Sequence, residues 1–130
     1  MAPSNSAAGR LVLRRPDLRG YGRSTLPADA PEHAQSSKRA MASDVVSPVR
    51  HLGHEQFAVV GHDRGLLGAF RTAMDHPRAV TRLVVMDGLP IVEHLERLNE
   101  VFVRTWWHWW FYGQTETPAE RVINLDPDAW

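Results

Sequence analysis

Apolar positions fall into short runs separated by proline, glycine and charged residues. Gln56 to His62 reads Gln-Phe-Ala-Val-Val-Gly-His, and Arg82 to Met86 reads Arg-Leu-Val-Val-Met, ending at Asp87. Short apolar, β-branched runs bounded by turn residues predict strands. Between them, Arg64 to Asp75 has the spacing of a helix, stopped by His76-Pro77. Strand, helix, strand with short connections is a βαβ unit and implies parallel strands. Upstream, Ser37 to Leu52 has helical spacing, with a bend expected at Pro48 and a C-cap at Gly53. A further strand is predicted over Arg10 to Arg14, followed by loop through Ser37. Downstream, Ile91 to Phe111 reads as one long helix. Thr-Pro-Ala-Glu at 117–120 then signals a short helix ending near Asp126. Residues 1–9 are small and polar, as in a frayed tail.

Composition narrows the function classes. The 130 residues carry 15 basic and 15 acidic side chains, so no electrostatic footprint points to nucleic acid or an anionic membrane. No cysteine is present, which excludes disulfides, a thiol nucleophile and thiolate metal sites. His51 and His54 lack the His-Glu-x-x-His pattern and are expected to be solvated or capping residues rather than zinc ligands. No metal and no cofactor is expected. The start of the chain has neither the charged nor the apolar region of a secretory signal, and no apolar run reaches membrane-spanning length. The expectation is a soluble cytoplasmic protein acting on a small molecule, with a homodimer left open. Lys38 is the only lysine, read here as codon bias.

The chemistry concentrates at Gly61-His62-Asp63-Arg64-Gly65, between the first strand of the βαβ unit and its helix. This is the frame of a nucleophile elbow, Gly-x-Ser-x-Gly, with Asp63 where serine usually stands. The elbow presents one side chain above a helix N-terminus, whose partial positive charge favours an anion. Both glycines are expected to permit close approach of strand and helix. A carboxylate needs no activation and can attack saturated carbon directly. Water then cleaves the resulting ester at its carbonyl, with a histidine base and an oxyanion hole that includes the Arg64 N–H. Such steps suit carbon–halogen cleavage or epoxide opening. The plainer alternative is that Asp63 is an N-cap.

Asp-Leu-Arg-Gly-Tyr-Gly-Arg-Ser at 17–24, Gly-His-Asp-Arg-Gly at 61–65 and Trp-His-Trp-Trp-Phe at 107–111 together resemble the fluoroacetate and haloacetate dehalogenases of the α/β-hydrolase fold. The similarity runs from about Leu11 to Trp130. It implies an α/β class and a partial α/β-hydrolase fold, with residues 10–90 as part of the core and 91–130 as the start of a helical cap. It implies Asp63 as nucleophile, Arg64 as the group that binds the substrate carboxylate, and Asp87 as the acid orienting a catalytic histidine. His108 and Trp109 match the donors that hold the departing halide. Read from the residues alone, Asp87 could equally be a turn former, and the tryptophan-rich segment core packing or an interface patch. The segment around Asp17 reads as an ordinary strand and turn with solvated arginines.

Three departures from the family pattern follow. Position 67 is leucine where the family carries a second arginine, which weakens the case for an anionic substrate and raises that for an epoxide. The family's N-terminal strands, with their second oxyanion donor, and its C-terminal histidine segment have no counterpart here. The chain is therefore expected to be the middle of a longer enzyme, without turnover by itself. A non-catalytic interaction fragment is the remaining alternative.

Overall fold

The computed structural model describes residues 12–28, 30–114 and 119–130. The chain divides into two compact units, Met1–Gly88 and Leu89–Trp130. The first contains a short 3-10 segment at Pro31–Ser36, helix α1 (Lys38–His51), strand β1 (Phe57–His62), helix α2 (Arg64–Asp75) and strand β2 (Val80–Met86). β1 and β2 are parallel, in register from Phe57 opposite Val80 to His62 opposite Met86, with one irregularity after Phe57. The expected βαβ unit is thus present, and β2 begins two residues before the apolar run that signalled it.

Local chemistry sets these boundaries. Ser37 caps α1, its hydroxyl accepting from the Ala40 N–H at 3.1 Å. The helix runs through Pro48, which has no N–H to offer the Asp44 carbonyl. It ends as the glycine predicted: Gly53, at φ +84°, donates to the Arg50 carbonyl (2.9 Å), and His54 donates to that of Val49 (3.1 Å). This paired closure needs a left-handed residue, which glycine adopts without strain. α1 packs on α2, and α2 on both strands. Met41, Ala42 and Val46 of α1, Val59 of β1, and Leu66, Ala69 and Thr72 of α2 are buried. Thr72 is satisfied by donating to the Gly68 carbonyl at 2.7 Å. Arg39 and Arg71 both bond Asp75, tying the start of α1 to the end of α2. Helices cover only one face of β1: Val59 and Gly61 are buried while Ala58, Val60 and His62 are exposed.

Three expectations are corrected. Val12 to Arg14 form no strand; without a neighbouring strand to bond, Val12 and Leu13 stay exposed. Arg10, Leu11 and the 1–9 tail lie outside the described residues. Pro31–Ser36 forms short 3-10 turns where plain loop was expected, interrupted by Glu32 and His33 at φ 57° and 51°. The single long helix is three in the second unit: α3 (Ile91–Leu95), α4 (Glu100–Thr105) and α5 (Trp107–Tyr112). Asn99 makes the first break, because its side chain accepts from the Phe102 N–H at 2.8 Å and starts a new helix. Trp106, at φ −114° and ψ 31°, makes the second. The fourth helix, α6 (Ala119–Ile123), is followed by turns that reach Asp126; Thr117 and Pro118 of its expected cap lie outside the described residues. Among the described residues no helix is long and apolar enough to cross a membrane.

Candidate active site

Asp63 stands between β1 and α2 with φ 48° and ψ −119°. A non-glycine residue at positive φ is uncommon, and such strain concentrates at functional sites. Two bonds hold it there: its N–H donates to the Met86 carbonyl of β2 at 3.2 Å, and its carbonyl accepts from the Leu66 N–H at 3.0 Å. The turn is this tight because Gly61 has no side chain. A Cβ there would stand 2.4 Å from the Gly65 carbonyl oxygen and 2.6 Å from the Leu66 Cα. Gly65 differs from expectation, since a Cβ on it would meet nothing within 4 Å. The close approach is made at Gly61 alone.

Asp63 occupies the N-cap position of α2 without a side-chain cap hydrogen bond. Its carboxylate is exposed at the helix N-terminus and has no hydrogen-bond or ion-pair partner among the described residues. The first N–H of α2, that of Arg64, has no acceptor within the helix by construction.

Asp87 follows β2 and is also at positive φ, 59°. Parallel pairing brings it beside Asp63 at neighbouring strand ends. Its carboxylate lies 3.2 Å from Nε2 of His62, both groups being well exposed. His62 is therefore the histidine that Asp87 touches here, although its place before Asp63 in the sequence gave no sign of it.

Arg64 projects from the first turn of α2, and its Nη1 donates to the Tyr21 hydroxyl at 2.8 Å. The loop that delivers Tyr21 is built by its own sequence. The Asp17 carboxylate accepts from the Arg23 N–H (3.1 Å), the Ser24 hydroxyl donates to the Asp17 carbonyl (2.8 Å), and Gly20 and Gly22 turn at φ +78° and +55°. Arg19 is not solvated, as had been expected. Its guanidinium bonds both Asp44 oxygens at 2.6 and 2.7 Å and the carbonyls of Ala40 and Gln35, fastening this loop to α1. Tyr21 was missed by sequence reasoning, because it lies in a turn motif and no local pattern says which distant side chain it meets.

His108 and Trp109 lie on α5 in the second unit, both half-buried. His108 stacks among Trp106, Trp107 and Tyr112, and Trp109 sits 4.9 Å from the ring of His94. Neither ring N–H has a protein acceptor among the described residues. The structure thus brings Asp63, Arg64 and Asp87 together in the first unit, and places His108 beside Trp109 in the second. Among the described residues no group of three or more His, Asp or Glu could hold a metal ion.

The chain matches the family model for the alpha/beta hydrolase fold over residues 3–128. It is 46% identical over 114 residues to a fluoroacetate dehalogenase of Burkholderia sp, covering 88% of this chain and 38% of that protein. It is 43% identical over 83 residues to a soluble epoxide hydrolase of Corynebacterium sp. (strain C12), covering 64% and 27% respectively. The crystal structure of ALR0039 from Nostoc sp PCC 7120 superimposes with a TM-score of 0.77 at 42% identity, covering 87% of this chain and 39% of that one. The chain therefore spans well under half the length of these relatives.

Proposed function

The chain belongs to the alpha/beta hydrolase fold family, and on that premise we propose that it is the nucleophile-bearing part of a hydrolase that releases halide from a haloacetate-type substrate. The observation that carries this reading is Asp63: a strained carboxylate, exposed at a helix N-terminus and unused by any cap. In the first step a carboxylate oxygen of Asp63 attacks the saturated carbon, and the carbon–halogen bond breaks with its electron pair leaving on the halide. In the second, water attacks the aspartyl carbonyl carbon, a base takes its proton, and glycolate departs while the Asp63 carboxylate is regenerated. The Arg64 N–H, without an acceptor inside α2, serves as a donor to the developing oxyanion. Arg64's guanidinium binds the substrate carboxylate, Asp87 orients a histidine, and His108 and Trp109 carry ring N–H donors of the kind a departing halide requires. Residues 10–90 form part of the catalytic core and 91–130 the start of the cap.

Leu67, one turn beyond Arg64 on α2, supports a second reading, epoxide opening by the same nucleophile. Likeness to the Corynebacterium epoxide hydrolase supports it too. Peptide mapping by mass spectrometry after incubation with chloroacetate separates the two. A carboxymethyl ester on Asp63, absent in Asp63→Asn, is the expected result. Labelling of Asp63 by a terminal epoxide but not by chloroacetate would transfer the assignment to the second reading, and labelling by neither would sink both.

A further inference from the structure

Arg64 is exposed at the start of α2, yet its side chain is not loose. Its Nη1 donates at 2.8 Å to the hydroxyl of Tyr21, 43 positions earlier in the chain. Among the described residues that phenol is its acceptor, and no carboxylate pairs with it. Tyr21 is itself 48% exposed, so water would satisfy either group and the bond adds little to stability. What it fixes is direction. A guanidinium is a planar fork of N–H donors; one bond to a neutral partner sets its plane and leaves the Nε and Nη2 edge to take both oxygens of a carboxylate.

The loop beneath Tyr21 is built to hold it. The Tyr21 N–H donates to the Leu18 carbonyl and its own carbonyl accepts from the Ser24 N–H, both at 2.9 Å, while Gly20 donates to Thr25 across the turn. Gly22 leaves no room for a side chain: a Cβ there would stand 2.4 Å from the Asp17 oxygen that accepts from the Arg23 N–H. Arg19, two residues before Tyr21, fastens the loop to α1 through Asp44 and the carbonyls of Ala40 and Gln35. The phenol therefore reaches Arg64 from a fixed base. A long side chain forfeits rotamer freedom when it captures a ligand, and one already held forfeits less.

We infer that Tyr21 is a positioning residue of the substrate site: its hydroxyl holds the Arg64 guanidinium in the orientation that receives a substrate carboxylate. This rests on the reading of Arg64 as the carboxylate-binding group, and in this role Tyr21 acts through Arg64.

Arginine side-chain resonances of the 15N-labelled 130-residue protein test it; the Arg64 signal is the one lost in Arg64→Met. Acetate should shift the Arg64 Nε–H signal saturably, and acetamide, its neutral isostere, should not. Tyr21→Phe deletes only the hydroxyl and should weaken acetate binding about two- to tenfold, the effect of no longer ordering one long side chain beforehand. The Nη signals of Arg64, distinct while Nη1 is bonded, should merge in Tyr21→Phe as the guanidinium turns freely, and the thermal midpoint should stay where it is. Gly22→Ala, which disturbs the turn and keeps both side chains, should weaken acetate binding in the same direction. Acetate binding unchanged in Tyr21→Phe overturns the inference. So does the absence of a saturable acetate shift at Arg64, or a loss of binding that comes with a lowered midpoint, whatever happens at Asp63. Acetate binding that depends on Tyr21 without any Asp63 ester would instead keep the positioning role and discard the nucleophile.

Discussion

Gly61 and Gly65 look equivalent in a Gly-x-Asp-x-Gly frame, and the structure separates them. At Gly61 an added Cβ meets backbone and core atoms at 2.4 to 2.7 Å, none of which can yield without moving α2 off β1. Gly61→Ala should cost about 1–3 kcal/mol or more, the range for overpacking a close contact, read as a lower urea midpoint. At Gly65 the space is open, and the residue is already helical. Gly65→Ala should be stabilising by up to about 1 kcal/mol, because alanine loses less backbone entropy in a helix. Equal destabilisation by the two substitutions would contradict this account of the turn. Individual residues were legible where the signal was local: Asp63 at its turn, Gly53 at its cap. Tyr21 and His62 were not, because their importance depends on which side chain from another element arrives beside them.

Elements show the same division. β1, α2 and β2 were legible because each is a strong, bounded pattern whose neighbours in sequence are its neighbours in space. The segment after Ile91 was misread because apolar spacing there fits one helix, while Asn99 offers a local hydrogen bond that wins over continuation. The Arg10 to Arg14 strand failed for the opposite reason: a strand is defined by a partner, and the described part has none. Element packing also carries a pH dependence. The Arg71 guanidinium, with Arg39 beyond it, holds the Asp75 carboxyl below its ordinary value near 3.8. A depressed carboxylate stabilises the fold above its unfolded pKa, and that contribution is lost as pH falls through the native value. Asp75→Asn should therefore flatten the loss of stability below about pH 4, as measured by thermal melts across the acid range. An unchanged acid slope would show that the α1–α2 tie contributes nothing there.

At the scale of the whole molecule, the notable feature is a sheet of only two strands among the described residues. Val60, Leu83, Val84, Val85 and Met86 are all exposed. Exposed apolar strands with open edges template pairing with other chains. The isolated protein should associate in a concentration-dependent way, and Val84→Lys should reduce this in light scattering while leaving the circular dichroism spectrum intact. Monodisperse behaviour of the unmodified chain at high concentration would contradict this.

The same pairing leaves a finer imprint. In a parallel ladder every second residue of a strand turns its N–H toward its neighbour and the next turns it away. With one neighbour rather than two, β2 should trade its amide hydrogens for deuterium in alternation, slow then fast, residue by residue from Val80 to Met86. A strand flanked on both sides would show no such rhythm, so the cadence of exchange reports directly whether anything has come to lie along its open side.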